Sequence, residues 1–513
     1  MIQAGSIAWF ARHEGRLAWR SWWSLLTGGR RRRGRTVLLG FSGFVLLLHL
    51  LAYSSLARST ALLGDPDRHL FVVVTGILAL YGSLMLSQAI EAVTRAFYGR
   101  GDLELILSSP APARRLFAVR IAATAVTILL MSLALAAPVI DVMAWLAGPR
   151  WLAAYAVVAA LAMTSVALAV VMTVWLFHAI GPKRTRLAAQ IVAAVIGASF
   201  VIGVQLAAIA SYGTLSRTAF LQSDTVMRHA PAIGSLLWWP ARGAVGELLP
   251  LAAVVAVAGI ALGLAIYAYA PRFGDFAIAA AGVSHGPTGR RRRPASFRSL
   301  SPAQTLRRKE WTLLLRDPWL VSQSLMQLLY LLPPVFLLYR ELYHGGHISS
   351  LLVPVLVMSG GQLAGGLAWL AVSGEDAPEL IASAPVTTAR IARAKAEAVM
   401  GALAIVFAPF IAILAVADAT SSLAAALGIA IAAASSTLIQ FWFRAQAKRS
   451  HFRRRQSSSR IATIAEALSS ITWAGAAALV AIGSELAIVP VVMAVLILAG
   501  TWMISPPAGA QAV

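Results

Sequence analysis

The amino-acid sequence predicts an all-α, polytopic membrane protein with about twelve transmembrane helices, arranged as two pseudo-repeated six-helix halves. Composition is the first observation behind this. Of the 513 residues, 59% are hydrophobic and only 12% charged, with a mean hydropathy of +0.76. A soluble chain of this length does not carry so much apolar surface. The second observation is the distribution of positive charge, and the third is a pair of polar motifs that recur between the apolar runs.

Runs long enough to cross a bilayer, roughly 20 residues each, fall at 36–58, 69–93, 116–141, 151–178, 186–212, 249–270, 319–341, 348–373, 391–417, 420–443, 462–484 and 486–506. The turns at 416–422 and 484–487 are so tight that they fix the limits of the two flanking pairs of spans poorly. With the N-terminus inside, 36 of the 43 Lys and Arg fall on 1–35, 94–120, 179–186, 271–318, 374–395 and 444–461. The other seven are Arg58, Arg68, Arg150, Arg217, Arg228, Arg242 and Arg340. This is the positive-inside pattern, so the basic excess reads as topology and not as nucleic-acid binding. The expectation is a multi-pass protein of a bacterial inner membrane, in contact with membrane lipid and with both termini cytoplasmic. Zero cysteines exclude disulfides and thiolate metal sites. No cleavable signal peptide is expected, because the first apolar run is of full length and follows Arg30-Arg31-Arg32-Arg33.

The layout is a first six-helix half at 1–270, a basic Gly/Pro/Arg cytoplasmic linker at 271–305 and a second half at 306–513. Each half opens with one spacing. Glu14-x2-Leu17-x2-Arg20-x2-Trp23 recurs as Glu310-x2-Leu313-x2-Arg316-x2-Trp319. Over 9–26, helical spacing puts Arg12, His13, Arg16 and Arg20 on one side, with Phe10, Leu17, Ala18, Trp22 and Leu25 opposite. That pattern predicts an interfacial helix on the cytoplasmic face. The copy at 306–317 is charged nearly all round.

A second motif follows the second span of each half. Asp102 to Arg120, DLELILSSPAPARRLFAVR, matches Ala377 to Lys395, APELIASAPVTTARIARAK. Glu104, Leu105, Ile106, Ser108, Pro110 and Arg115 correspond to Glu379, Leu380, Ile381, Ser383, Pro385 and Arg390, and Arg120 corresponds to Lys395. Each copy reads as a short cytoplasmic helix with acids in its first turn and Ser-x-Pro to stop it. For one copy, a turn anchored by Arg would suffice. Two acidic copies on a strongly basic surface point to docking of a symmetric cytoplasmic partner.

These motifs, with LRRKEWTLLLRDPW before a span, resemble permeases of ATP-binding-cassette exporters of the type-2 class in their fused twelve-span form. The resemblance implies that the loops are coupling helices seated in grooves of separate ATPase subunits, two per chain. ATP and Mg would then act only through those partners. On this likeness Asp102, Glu104, Ser108, Pro110 and Arg115, and Glu375, Asp376, Glu379, Ser383, Pro385 and Arg390, form the coupling loops. The second copy departs from the first at Ala377, where Glu375 and Asp376 just upstream supply the acids. Glu14, Arg20, Glu310 and Arg316 would belong to the helices that precede each half's first span. The apolar, Arg-poor spans favour a lipid, peptide or hydrophobic compound as cargo over a multiply charged solute.

Ser359-Gly360-Gly361-Gln362 nearly spells the signature with which cassette ATPases grip nucleotide, yet it lies inside an apolar span. The four lysines, Lys183, Lys309, Lys395 and Lys448, never follow glycine, so the chain has no phosphate loop. Gly361 and Gly365 instead form a small-x3-small face for close helix approach, with Gln362 placed to hydrogen-bond across it.

The rival reading is an ion-gradient-driven secondary transporter of six-plus-six architecture, which would carry acids deep in the membrane. Glu91, Asp141, Glu397 and Glu466 all fall within about two turns of a span end, which favours interfacial roles. His344 and His347 lack a third ligand nearby and read as a loop. The 213–248 stretch holds only Asp224 and Glu247, too few acids for a membrane transferase. Its Leu236-Leu237-Trp238-Trp239-Pro240 reads as an interfacial helix that gates, receives cargo or caps the bundle. Pro138, Pro409 and Pro333-Pro334 are expected to kink their spans.

Overall fold

The structure is a computed structural model. It describes residues 6–27, 34–57, 67–98, 113–212, 223–272, 301–316, 349–373, 385–443 and 460–505, with isolated positions between 325 and 339. Among these residues every regular element is helical. The chain divides into two compact units, Met1–Thr288 and Gly289–Val513.

The first unit contains α1 (Ile7–Thr27), α2 (Gly34–Leu56), α3 (Arg68–Tyr98), α4 (Ala113–Ala147), α5 (Ala154–Ile180), α6 (Pro182–Tyr212) and α7 (Leu248–Tyr269). The second contains α8 (Pro302–Arg316), α9 (Ser349–Ser373), α10 (Thr388–Ala417), α11 (Ala419–Phe443), α12 (Arg460–Ala481) and α13 (Ile488–Ile504). Among the described residues ten helices are long and apolar enough to cross a membrane: α3 to α7 and α9 to α13. Of the two other expected spans, 36–58 corresponds to α2, with a shorter apolar stretch at Ser42–Leu56. The span expected at 319–341 lies outside the described residues apart from isolated positions. Pro138 and Pro409 sit inside the continuous helices α4 and α10.

Helix starts are written in side chains that satisfy the free N–H groups. Asp67 Oδ1 accepts from Leu70 N at 2.7 Å to open α3. Ser6 and Ser301 open α1 and α8. In the second case Ser301 Oγ accepts from Gln304 N at 3.4 Å while Gln304 Oε1 accepts from Ser301 N at 3.2 Å, a reciprocal capping box ahead of Pro302.

Within the first unit, α3 packs on α4, α5 and α6, and α5 also carries α7. The α5 core face is small and β-branched: Val157, Val158, Ala162, Val166, Ala169 and Val170 are all buried. Within the second unit, α9 packs in the same way on α10, α11 and α12. Here small residues bring backbones together. A β-carbon added at Gly361 would stand 2.5 Å from Ser470 Oγ, and one at Gly365 would overlap the Glu466 carboxylate. The signature-like tetrapeptide is thus part of a close packing face against α11 and α12. Gln362 departs from its expected part, since it is exposed and turned away from that contact.

Between α6 and α7, the described residues 223–247 pack against α3 and α5. Trp238 is buried, stacks on Phe71 with centroids 6.0 Å apart, and donates from Nε1 to the Ala232 carbonyl at 3.1 Å. Leu236 and Leu237 remain exposed.

Candidate functional site

On α1, Phe10, Glu14 and Leu17 recur at helical spacing and share one face, which packs against α4. Glu14 therefore sits among the apolar residues, although the sequence pattern of the helix is read from its arginines. On α8 the corresponding face carries Glu310 and Leu314, and packs against α10. Burying a carboxylate costs several kcal/mol unless it is paired. Both are paired. Arg120 of α4 donates from Nε to Glu14 Oε1 at 3.3 Å. Lys395 of α10 donates from Nζ to Glu310 Oε1 at 3.0 Å and Oε2 at 3.1 Å. Exposure is 6% for Glu14, 4% for Arg120, 0% for Glu310 and 8% for Lys395.

Lys395 also donates to the Ala371 carbonyl in the last turn of α9. An ammonium there complements the negative end of the helix dipole. Its three N–H donors thus meet three acceptors from two neighbouring helices. Lys309 adds a second cation to Glu310 at 3.5 Å. Outside this core, Glu397 of α10 accepts from Arg307 at 2.5 Å and Arg393 at 3.0 Å, a second tie from α8 to α10 at the surface.

Within each unit the two sequence motifs therefore meet. Glu14 comes from the first motif and Arg120 from the second, and Glu310 and Lys395 repeat that origin. The other expected site residues scatter. Asp102, Glu104, Ser108 and Pro110 lie outside the described residues, as do Glu375, Asp376, Glu379 and Ser383. Arg115 and Arg390 are exposed in the first turns of α4 and α10, and Pro385 is exposed just ahead of α10. Arg20 is exposed on α1, and Arg316 ends α8 with its side chain outside the described set. In sequence Arg120 and Lys395 look like two more membrane-edge cations. The available signal was their common position, five residues after Arg115 and Arg390.

Glu466 corrects an expectation. It is 8% exposed, faces α9 and α11, and accepts from Gln440 Nε2 at 2.6 Å. Its place six residues into α12 suggests an interfacial acid, but Gly365 leaves room for the carboxylate to lie inside the bundle. Ser436 and Ser470, with Oγ atoms 3.4 Å apart, extend this polar seam. Among the described residues no group of His, Asp and Glu is arranged to hold a metal ion. His344 and His347 lie outside those residues.

No protein-family model matches the chain, and no curated protein or solved structure matches it either.

Proposed function

We propose that the chain is the transmembrane permease of an ATP-binding-cassette exporter, with twelve spans in two pseudo-equivalent halves and separate ATPase subunits docked on its two acidic loops. The observation that carries this reading is the recurrence of one buried ion pair, Glu14 with Arg120 and Glu310 with Lys395, between corresponding motif positions. Each pair joins the helix ahead of the first span to the foot of the helix that follows an acidic loop. A displacement of that loop would move the two helices as one body, because separating them strands a buried charge. Nucleotide-driven closure of the ATPases would then shift the balance between inward-open and outward-open states. The apolar bundles fit a lipid, peptide or hydrophobic cargo.

The test is ATPase retention on the purified permease. Glu104→Lys with Glu379→Lys should lower retention many-fold, since a like-charge clash at a docked interface costs several kcal/mol. The melting temperature should stay near that of the parent. Unchanged retention overturns the docking assignment. A second reading, transport driven by an ion gradient, is favoured by the buried Glu466 carboxylate in its polar seam. Efflux from vesicles under a pH or sodium gradient, without any ATPase, would select it.

A further inference from the structure

We propose that His49, Asp141 and Tyr155 form a proton-binding site in the first unit, and that the bound proton clamps α2 onto α4. The site stands at the end of α4 remote from the Glu14–Arg120 pair. The 21 residues from Arg120 to Asp141 rise roughly 30 Å along the helix. Neither the acidic loops nor the buried ion pairs use it, and it does not depend on the energy source of transport.

Three side chains from three helices converge here. Tyr155 of α5 donates its hydroxyl proton to Asp141 Oδ1 at 2.6 Å. Asp141 Oδ2 faces His49 Nε2 of α2 at 3.4 Å. The other imidazole nitrogen, Nδ1, lies 2.8 Å from the Val45 carbonyl, one turn earlier on α2. Both ring nitrogens therefore point at groups that only accept. A neutral imidazole carries one N–H and can satisfy one of them, leaving a lone pair against either the carbonyl or the carboxylate. The imidazolium carries two and satisfies both. One extra proton completes the network, and it comes from solvent.

Little else holds this end of α2. Among its described side chains Ala52 alone is buried among the apolar ones, while Leu46, Leu47, Leu50, Leu51 and Tyr53 are exposed. α2 packs chiefly along α4. Among the described residues, the titratable groups at this site are Asp141 from α4 and Tyr155 from α5, while Glu14 of α1 is paired with Arg120, about 30 Å along α4 from Asp141. With the proton bound, His49 donates to both Val45 and Asp141, and the Asp141 contact is charge-assisted. Without it, one of the two acceptors loses its donor and the contact loses its charge assistance, which loosens the clamp.

The chain has no cysteine, so a single one reports cleanly. Ala52→Cys, 7% exposed at Ala52 in the parent, is protected while α2 is clamped, and Tyr53→Cys at an exposed position controls for the reagent's own pH dependence. The full chain in lipid nanodiscs is labelled with a methanethiosulfonate at about pH 5.5 and about pH 8.5, either side of the ordinary imidazole value near 6.5. The labelling rate at position 52 relative to 53 should rise about tenfold from the lower to the higher pH. His49→Gln and Asp141→Asn should each flatten that ratio, with helix content unchanged. A flat ratio in the parent overturns the proposal. So does a pH response that survives His49→Gln or Asp141→Asn.

Discussion

α7 and α13 occupy the same place in the order of the two units, yet they pack differently. α7 leans on α5, whereas α13 leans on its immediate predecessor, α12. The connections explain this. Ile482, Gly483 at φ 68°, the Ser484 cap and one 3-10 turn at Glu485–Ala487 join α12 to α13, so the two must run side by side. Between α6 and α7 the chain has room for further short helical turns around the buried Trp238, and α7 lies against α5. The other neighbours correspond: α3 with α4, α5 and α6, and α9 with α10, α11 and α12. Packing partners therefore follow the shared motifs, and departures follow connection length.

The ion pairs divide along the same line. Arg120 donates from Nε to Glu14 at 3.3 Å, while Lys395 reaches both oxygens of Glu310 at 3.0 and 3.1 Å and also the Ala371 carbonyl. The largest expected effect breaks the better-held pair. Glu310→Gln or Lys395→Ala should destabilise the protein by about 3–5 kcal/mol, because the first leaves a buried ammonium without its carboxylate and the second leaves the buried carboxylate to the more exposed Lys309 at 3.5 Å. Replacing both by leucine should cost much less. Thermal melting in one detergent compares the three variants. If the double variant melts lowest, the pair contributes more than its desolvation costs and this account of it fails.

Glycines sharpen the contrast at a smaller scale. Gly365→Ala drives a methyl into the Glu466 carboxylate and should cost about 1–3 kcal/mol, through a forced rotation and loss of the Gln440 bond. Gly82 of α3 meets only Leu161 Cδ2, at 3.8 Å, so Gly82→Ala should be neutral or slightly stabilising. Equal losses at both positions would show that the close approach seen at Gly365 is not what holds α9 to α12.

Much of the fold is legible in sequence because lipid demands long apolar helices, and Gly361 and Gly365 announce their close approach by spacing alone. The site is legible only in part. Glu14 and Glu310 repeat visibly, but that each sits on the buried face depends on Phe10 and Leu314 and on which side meets the next helix. Arg120 and Lys395 resemble the many membrane-edge cations that serve topology, and nothing local separates a paired cation from an exposed one. Glu466 is hidden for a similar reason. Its distance from the helix end suggests water, while its burial is set by a glycine on another helix about a hundred residues away.

Exchange of the two cations should give an intermediate loss. Three acceptors converge on the Lys395 ammonium, a geometry that the planar fork of a guanidinium does not match. Lys395→Arg should therefore cost about 1–2 kcal/mol, and Arg120→Lys, where the Nε contact to Glu14 is the longer at 3.3 Å, about half that. Circular dichroism melts of the two variants decide it, and a reversed order would mean that donor count and not acceptor geometry distinguishes the pairs.

The smallest expected effect lies in the turns that follow α4 and α10. In the first unit that turn uses Gly148 at φ 101° and Pro149, and α5 starts without a side-chain cap. In the second, Asp418 opens α11, accepting from Thr420 N at 3.0 Å, Thr420 Oγ1 at 2.7 Å and Ser421 Oγ at 2.5 Å. Those donors, Ser421 first, hold the Asp418 carboxyl below its ordinary value. A depressed carboxyl contributes stability that is fully present above its unfolded value, about 3.9. It is lost as pH falls through the lower folded value. Asp418→Asn keeps a capping side chain but cannot titrate, so it serves as the reference. At neutral pH the parent should exceed it by about 0.5 kcal/mol, the scale of one exposed cap. The difference in melting temperature should hold steady down to about pH 5 and then shrink toward zero as the carboxyl protonates. Thr387, the residue ahead of α10, makes no side-chain cap bond, so Thr387→Val should show no such pH dependence. A parent–variant difference that stays constant through the acid range would mean that the Asp418 charge contributes nothing to this turn, and that the two units stop and restart their helices equally well without it.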